Sequence, residues 1–135
     1  MTGAGIANSV SVLDYGMGNL RSVAKAFESL GANVEIVHEV PKTGRFVIPG
    51  VGAFGAAMER IDPLKEAIVN FASSGNPLMG ICLGLQLLFE QSEEFGLHEG
   101  LGLVLGSVRY FGDLPNDLKV PHMGWTGIFP AEGSR

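Results

Sequence analysis

Short apolar stretches separated by turn residues recur along the first part of the chain. They lie at residues 9–15, 33–40, 45–50 and 77–82, and each is bounded by glycine, proline or polar residues. Runs of this length and composition, some with alternating apolar and polar positions, are typical of β-strands. We therefore expect four strands in this part of the chain.

Amphipathic segments follow three of these stretches. Residues 20–31 place apolar side chains on one face at helical spacing, and Gly31 ends the pattern. Residues 55–75 and 83–94 also have helical periodicity. Pro63 predicts a break in the first of these two segments, because the residue before a proline avoids the helical region. Strands and helices are therefore expected to alternate.

The pattern changes in the last part of the chain. Residues 102–111 and 120–125 look like strands with no long helix between them. Strands that alternate with helices predict an α/β fold in which a mostly parallel sheet is covered on both faces. We expect a single domain over residues 1–135, with its site at the glycine-rich ends of the strands.

Composition narrows the classes of function. The 135 residues are 46% hydrophobic and 17% charged, with a net charge of −5 and no block of like charges. This balance gives no electrostatic reason to expect nucleic acid or an anionic membrane surface as a partner. The N-terminus does not resemble a signal peptide, and no apolar run is long enough for a membrane span. The single cysteine fits a reducing compartment, so we expect a cytoplasmic protein.

That cysteine lies in the sequence GICLG, residues 80–84, between a predicted strand and a predicted helix. The spacing is typical of a nucleophile elbow, a sharp turn that raises one side chain above the edge of a sheet. The helix N-terminus would favour the thiolate of Cys82, and the Leu83 N–H would point to a developing oxyanion. The alternative is a buried, inert cysteine, which is a common state of free cysteine.

A second glycine-rich turn, PGVGAF, follows the third predicted strand. Gly50 and Gly52 can adopt conformations that turn backbone N–H groups outward. If the strands before the two turns are neighbours, the N–H of Val51 or Gly52 and that of Leu83 would form an oxyanion hole beside Cys82. The alternative is an ordinary turn between a strand and a helix. Together the two motifs favour acyl transfer.

A third turn, DYGMGNLRS at residues 14–22, has the glycines of a dinucleotide-binding loop but fails the GxGxxG test. Arg21 stands three residues after Gly18, where that motif needs glycine. Phosphate binding at the following helix N-terminus stays open as an alternative. We expect a structural or contact loop.

Four motifs resemble those of one family. DYGMGNLRSV, PGVGAF, GICLGLQLLFEQSEE and VPHMGW occur in the order seen in class I glutamine amidotransferases, and most closely resemble the glutaminase subunits of imidazole glycerol phosphate synthase. The resemblance runs over nearly the whole chain. It implies a flavodoxin-like three-layer α/β/α fold and hydrolysis of glutamine to glutamate and ammonia in histidine biosynthesis, without a metal or cofactor. It also implies a partner, a (β/α)8-barrel cyclase subunit that receives the ammonia.

The resemblance assigns roles to individual residues. Cys82 corresponds to the nucleophile that forms a γ-glutamyl thioester, and residues 50–52 correspond to the oxyanion strand. Gln86 and Glu94 correspond to glutamine-binding residues. The alternative for Gln86 is a polar residue at a cleft or surface, and the alternative for Glu94 is a solvated helix end.

The expected partner face contains Asn19, Met123 and Trp125, which correspond to residues that meet the cyclase. Trp125 is the only tryptophan, and an exposed aromatic residue is a plausible interface anchor. Without the resemblance, a buried core tryptophan is an equal alternative.

The catalytic base of the family has no counterpart in this sequence. The family supplies it as a His-x-Glu pair downstream of the cysteine, which protonates the leaving ammonia and activates water. None of His38, His98 and His122 has glutamate two residues later, and His98 is expected in a surface loop. Thr126 stands where the family usually has asparagine. We expect a chain that lacks the family's C-terminal part and exposes apolar surface as a result.

Three hypotheses follow from these observations. The first is a glutaminase with Cys82 as the nucleophile. The second is an inactive subunit that docks the barrel but supplies no ammonia. The third is another hydrolase of the same fold with a cysteine elbow, deglycase-like or peptidase-like. Gln86 and Glu94 fit a glutamine site and therefore count against the third hypothesis.

Overall fold

A four-stranded parallel sheet forms the centre of the fold in the computed structural model, which describes residues 8–134. The strands lie in the spatial order β2-β1-β3-β4. They are β1 (Ser9–Leu13), β2 (Asn33–Val37), β3 (Arg45–Ile48) and β4 (Leu78–Gly80). Every pairing in this sheet is parallel, so the carboxyl ends of the strands meet at one edge. The order matches the first four strands of a flavodoxin-like sheet.

Four α-helices accompany this sheet within the described residues. They are α1 (Leu20–Ser29), α2 (Phe54–Ile61), α3 (Lys65–Ser73) and α4 (Leu83–Leu87). A short 3-10 turn, Asp62–Leu64, separates α2 from α3. The predicted break before Pro63 is therefore confirmed, because proline has no N–H to continue the helical hydrogen bonds.

Helices cover both faces of the sheet, which confirms the three-layer α/β/α expectation. Successive strand residues point to opposite faces, so β1, β2 and β3 contribute to two apolar clusters. The cluster under α1 is made by Val10, Val12 and Val47 with Val23 and Phe27. The larger cluster on the other face includes Leu13, Phe46, Ile48, Phe54, Ile61, Ile68, Phe71, Leu83 and Leu87. The helix α4, and with it the cysteine, is therefore anchored on the larger cluster.

The helix predicted over residues 83–94 is only half present, because α4 ends at Leu87 and a strand, β5 (Phe89–Ser92), follows. The Leu88 carbonyl accepts hydrogen bonds from the N–H groups of Leu103 and Val104, at 2.8 and 2.9 Å. These long-range bonds make the backbone after Leu87 part of a second sheet. The helical periodicity was therefore overridden by pairing with a distant segment.

The second sheet has three strands in the order β6-β5-β7. β6 (His98–Glu99) pairs with β5 antiparallel, and β7 (Val104–Val108) pairs with β5 parallel. The strand predicted at 102–111 is thus present in shorter form. His98, expected in a surface loop, lies instead in β6 and is half-buried.

The strand predicted at residues 120–125 is not formed. Val120 is 43% exposed and Met123 is 84% exposed, so this segment has no sheet to pack on. No helix or strand is assigned between β7 and residue 134. No helix among residues 8–134 has the length and apolar character that crossing a bilayer requires.

Candidate active site

Cys82 occupies the turn between β4 and α4, at the carboxyl edge of the main sheet. Its φ and ψ are 55° and −116°, a region that residues with a side chain rarely adopt. The thiol is exposed rather than packed in the interior. The sharp elbow that the GICLG motif predicts is therefore present, while the role of Cys82 as a nucleophile stays a prediction.

Two glycines permit this elbow because the backbone is packed too tightly there for a side chain. A Cβ at Gly84 would overlap the carbonyl oxygen of Ile48 at the end of β3. A Cβ at Gly80 would lie 2.5 Å from the Leu85 Cα. The Ile81 N–H donates to the same Ile48 oxygen at 3.0 Å, which ties the elbow to β3.

The PGVG turn lies directly beside the elbow, since β3 and β4 are neighbours in the sheet. Gly50 is buried, and a Cβ placed on it would be 3.1 Å from the Leu83 Cβ and 3.2 Å from the Gly84 nitrogen. Gly52 has a φ of 111°, which favours glycine. Val51, between them, is 56% exposed. The sequence expectation that this turn faces the elbow fits the geometry.

Backbone N–H groups at the start of α4 divide into two sets. Those of Gly84, Leu85 and Gln86 donate to the carbonyls of Ile81 or Cys82, at 3.0 to 3.2 Å. The N–H of Leu83, at the first helical position, has no acceptor within the helix. This N–H group, next to Cys82, is therefore free of helical bonding and suited to donate to an oxyanion. The assignment stays a prediction.

Gln86 and Glu94, the two expected substrate-binding residues, line the same cavity of about 550 Å³. This volume falls within the range of small-molecule sites. Cys82 does not line the cavity, but its carbonyl accepts the Gln86 N–H at 3.2 Å, so the cavity begins one helical turn from the cysteine. The structure therefore brings the two residues together beside the elbow.

A hydrogen bond to Ser92 holds the backbone of Glu94 in place. Its N–H donates to the Oγ of Ser92 at 3.1 Å, and Ser92 is fully buried at the end of β5. The neighbouring Glu93 pairs with Arg109 at 3.4 Å on the exposed rim of the cavity. Since β5 replaces the predicted helix, Glu94 is placed by a strand end and not by a helix end.

Tyr15 is a buried residue at this edge that the sequence analysis missed. Its hydroxyl donates to the Pro49 carbonyl at 2.7 Å, and a Cβ on Gly50 would overlap that hydroxyl. Burial, and secondarily the charge of Cys82, raises the pKa of Tyr15 to about 12. A tyrosine at the carboxyl end of β1 was the available signal, because that end meets the same sheet edge as the elbow.

The DYGMGN loop contacts the PGVG turn, in agreement with the contact-loop interpretation. A Cβ on Gly18 would be 3.3 Å from the Pro49 Cγ, and one on Gly52 would be 2.9 Å from the Met17 Cε. Asn19, expected at the partner face, is exposed and caps α1, with its Oδ1 accepting the Ser22 N–H at 3.3 Å.

Two of the three histidines contact backbone carbonyls and not the cysteine. His38 Nδ1 lies 3.2 Å from the Asp14 carbonyl, and His98 Nε2 lies 3.4 Å from the Phe95 carbonyl. His122 is exposed. Within residues 8–134 no histidine is hydrogen-bonded to Cys82, and no cluster of three His, Cys, Asp or Glu side chains suits a metal ion.

The other two residues of the expected partner face lie on the chain that follows β7. Met123 is 84% exposed, and Trp125 is fully exposed. The core-tryptophan alternative is therefore wrong. Their contact with a partner stays a prediction.

A parallel sheet, a strained cysteine in an elbow at its carboxyl edge and a glycine turn packed against that elbow point to one class of protein. The family Glutamine amidotransferase class-I matches residues 11–132, and the chain belongs to this family.

The relatives narrow the similarity to one enzyme subunit. The chain is 49% identical over 130 residues to the imidazole glycerol phosphate synthase subunit HisH of Sulfurimonas denitrificans, covering 91% of this chain and 63% of that protein. It is 51% identical over 124 residues to HisH of Bacillus licheniformis, covering 86% and 58%. For HisH of Methanosarcina acetivorans the identity is 48% over 122 residues, covering 88% and 59%. The chain thus spans about 60% of the length of these relatives.

Proposed function

We propose that the chain carries the nucleophile half of a glutaminase site that supplies ammonia to a cyclase in histidine biosynthesis. The relatives named HisH are subunits of imidazole glycerol phosphate synthase, which supports this assignment. The observation that carries the proposal is the exposed Cys82 in a strained elbow packed against the Gly50 turn.

The chemistry begins with attack of the Cys82 sulfur on the γ-carbonyl carbon of glutamine. A C–S bond forms, and the carbonyl oxygen becomes an oxyanion that the N–H groups of Leu83 and of Val51 or Gly52 stabilise. Collapse of this intermediate breaks the C–N bond and leaves a γ-glutamyl thioester. The leaving nitrogen takes up the proton that the thiol lost and departs as ammonia. Water then hydrolyses the thioester, giving its OH to the acyl carbon of glutamate and its proton to the thiol.

Substrate recognition in this proposal uses the cavity beside the elbow. Gln86 and Glu94 both line it, and a carboxylate at Glu94 suits the α-ammonium group of glutamine. The ammonia passes to a (β/α)8-barrel cyclase subunit, which docks on the face that contains Asn19, Met123 and Trp125.

Reaction with a glutamine analogue in which a chloromethyl ketone replaces the γ-amide tests the proposal. We expect a single adduct on Cys82, located by peptide mass spectrometry, and protection by excess glutamine. Glutamate should protect less, and Cys82→Ser should abolish the adduct. An unprotected, glutamine-independent modification would contradict a glutamine site.

A second candidate is a docking subunit that binds the cyclase without releasing ammonia. The observation in its favour is that no histidine among residues 8–134 is hydrogen-bonded to Cys82. Ammonia release measured with the cyclase present separates the two candidates. Adduct formation without ammonia release would support the docking subunit, and release would support the glutaminase.

A further inference from the structure

Two turns approach Gly50. From the β1 side comes the hydroxyl of Tyr15, which would overlap a Cβ on this residue. On the elbow side, a Cβ on Gly50 would lie 3.1 Å from the Leu83 Cβ and 3.2 Å from the Gly84 nitrogen. The peptide that carries the Gly50 N–H thus sits between the phenol and the first turn of α4.

One polar contact links Tyr15 to this turn. The Tyr15 hydroxyl is the donor and the Pro49 carbonyl the acceptor, at 2.7 Å. Tyr15 is only 8% exposed, so water competes little for the carbonyl and the bond is well shielded. Because the acceptor belongs to the peptide unit that joins Pro49 to Gly50, the bond fixes the orientation of that unit and the direction in which the turn leaves β3.

The remainder of the turn has few such restraints. Val51 is 56% exposed, Gly52 is exposed, and Gly52 has the freedom of a glycine at a φ of 111°. Without a fixed starting direction, the N–H groups of Val51 and Gly52 would sample several orientations. Oxyanion stabilisation needs donors that are already in place, since displaced donors lose most of their effect.

We propose that Tyr15 is a positioning residue whose hydroxyl, through the Pro49 carbonyl, holds the 50–52 turn in register with Cys82 for oxyanion stabilisation. The inference rests on the proposed function and adds a residue of the β1 end to the site. The charge of Cys82 is one cause of the raised Tyr15 pKa, which agrees with the closeness of the phenol to the elbow.

The test compares two reagents on the wild type and on Tyr15→Phe, which keeps the ring and removes the hydroxyl. The chloromethyl ketone analogue of glutamine reacts at the oxyanion site when the thiolate adds to the ketone carbon and the carbonyl oxygen becomes an oxyanion. The sulfur then displaces chloride from the neighbouring methylene carbon as the carbonyl re-forms. An aromatic disulfide reagent reacts with the same thiol by disulfide exchange and develops no oxyanion. The matched control is Ser29→Ala, which removes another 2.7 Å hydroxyl-to-carbonyl bond, that of Ser29 to Ala26, at the end of α1.

We expect Tyr15→Phe to lower the maximal rate of alkylation by about tenfold or more, with the half-saturating concentration of the ketone changed by less than about twofold. The rate with the disulfide reagent should stay within about twofold, because thiol exposure is unchanged. Ser29→Ala should alter neither rate. A purely structural role for Tyr15 would slow both reagents together or neither.

Equal alkylation by wild type and Tyr15→Phe would overturn the inference, and so would an equal loss with both reagents. A wild type that reacts with the disulfide but never with the ketone would overturn the proposed function itself, before any variant is compared. If Tyr15→Phe does not fold, Tyr15→Leu gives a second route, because it also removes the hydroxyl while keeping a large apolar side chain at this buried position. It should produce the same selective loss, and an unchanged ketone rate would contradict the inference.

Discussion

At the scale of single residues, Cys82 is held in a conformation that its side chain disfavours. A non-glycine residue in such a region costs of order 1–3 kcal/mol and persists only where its surroundings enforce it. The enforcing contacts are the Ile81 hydrogen bond to Ile48 and the close approach of Gly84 to the same carbonyl. The strain is therefore imposed by the same backbone contacts that place the sulfur at the sheet edge.

Relief of this strain is measurable. Cys82→Gly is expected to be more stable than Cys82→Ala by about 1 kcal/mol, because glycine reaches a positive φ without the steric cost of a Cβ. Cys82 is exposed, so both variants lose little buried area. Urea denaturation followed by circular dichroism gives the difference in the free energy of unfolding. Equal values for the two variants would show that the elbow is unstrained.

Tyr15 makes stability depend on alkaline pH. Its pKa rises from the ordinary 10.0 to about 12 in the folded state, so the folded protein keeps a proton that the unfolded chain loses. The contribution to stability is fully present below pH 10 and is lost as the pH rises to 12. The total loss over that window is about 3 kcal/mol.

The variant Tyr15→Phe isolates this effect. Denaturation of both proteins is compared at about pH 9 and about pH 11, on either side of the ordinary tyrosine pKa of 10.0. The free energy of unfolding should fall more between these two values for the wild type than for Tyr15→Phe. Cys82→Ser should make the loss smaller, since the charge of Cys82 contributes to the shift. Parallel pH profiles for wild type and Tyr15→Phe would contradict a buried neutral phenol.

At the scale of elements, Asn19 has a local role that is independent of any partner. Its side chain caps α1 through the Ser22 N–H. Asn19→Ala is expected to lower the free energy of unfolding by about 1 kcal/mol, whereas Asn19→Ser, which retains a capping oxygen, should change it by a few tenths, on the order of the values known for caps. Thermal or urea denaturation checks this. A stable Asn19→Ala would show that the cap is dispensable.

The elements that sequence predicts well are those whose cause is local. The central strands β1 and β3 are mostly buried on both faces, so they appear as short apolar runs, and Pro63 itself predicts the helix break. The helix predicted over 83–94 was wrong after Leu87, because hydrogen bonds to Leu103 and Val104 decide that backbone. No local pattern contains that information.

The same distinction holds for the site. The elbow was predictable because glycine at positions 80 and 84 is a backbone requirement that the sequence displays. The position of Tyr15 at the sheet edge was predictable from the end of β1, but its hydrogen bond was not, since the acceptor lies 34 residues away in the sequence. The roles of Gln86 and Glu94 rest on the family resemblance, while that of Cys82 rests also on the elbow motif, and all three stay predictions.

At the scale of the whole molecule, the described chain divides into a buried sheet and an exposed segment after β7. That segment carries several exposed large apolar side chains: Tyr110, Phe111, Met123, Trp125, Ile128 and Phe129. Where such side chains form a contiguous patch, the patch typically marks an interaction site. The expected partner residues Met123 and Trp125 lie within this segment, although the segment as a whole forms no regular element.

Trp125 is the only tryptophan and is fully exposed, so its fluorescence would report on docking to the proposed cyclase partner. In the isolated chain we expect the emission of a hydrated indole and efficient quenching by acrylamide. Addition of the cyclase should shift the emission to shorter wavelength and reduce quenching, because an interface anchor is desolvated on binding.

Trp125→Ala should weaken binding by about tenfold or more, since buried aromatic anchors carry much of the binding energy. Phe129→Ala removes an equally exposed aromatic four residues further on and should have a smaller effect. An emission spectrum unchanged by a cyclase that calorimetry shows to be bound would remove Trp125 from the interface and leave the docking face to be sought elsewhere.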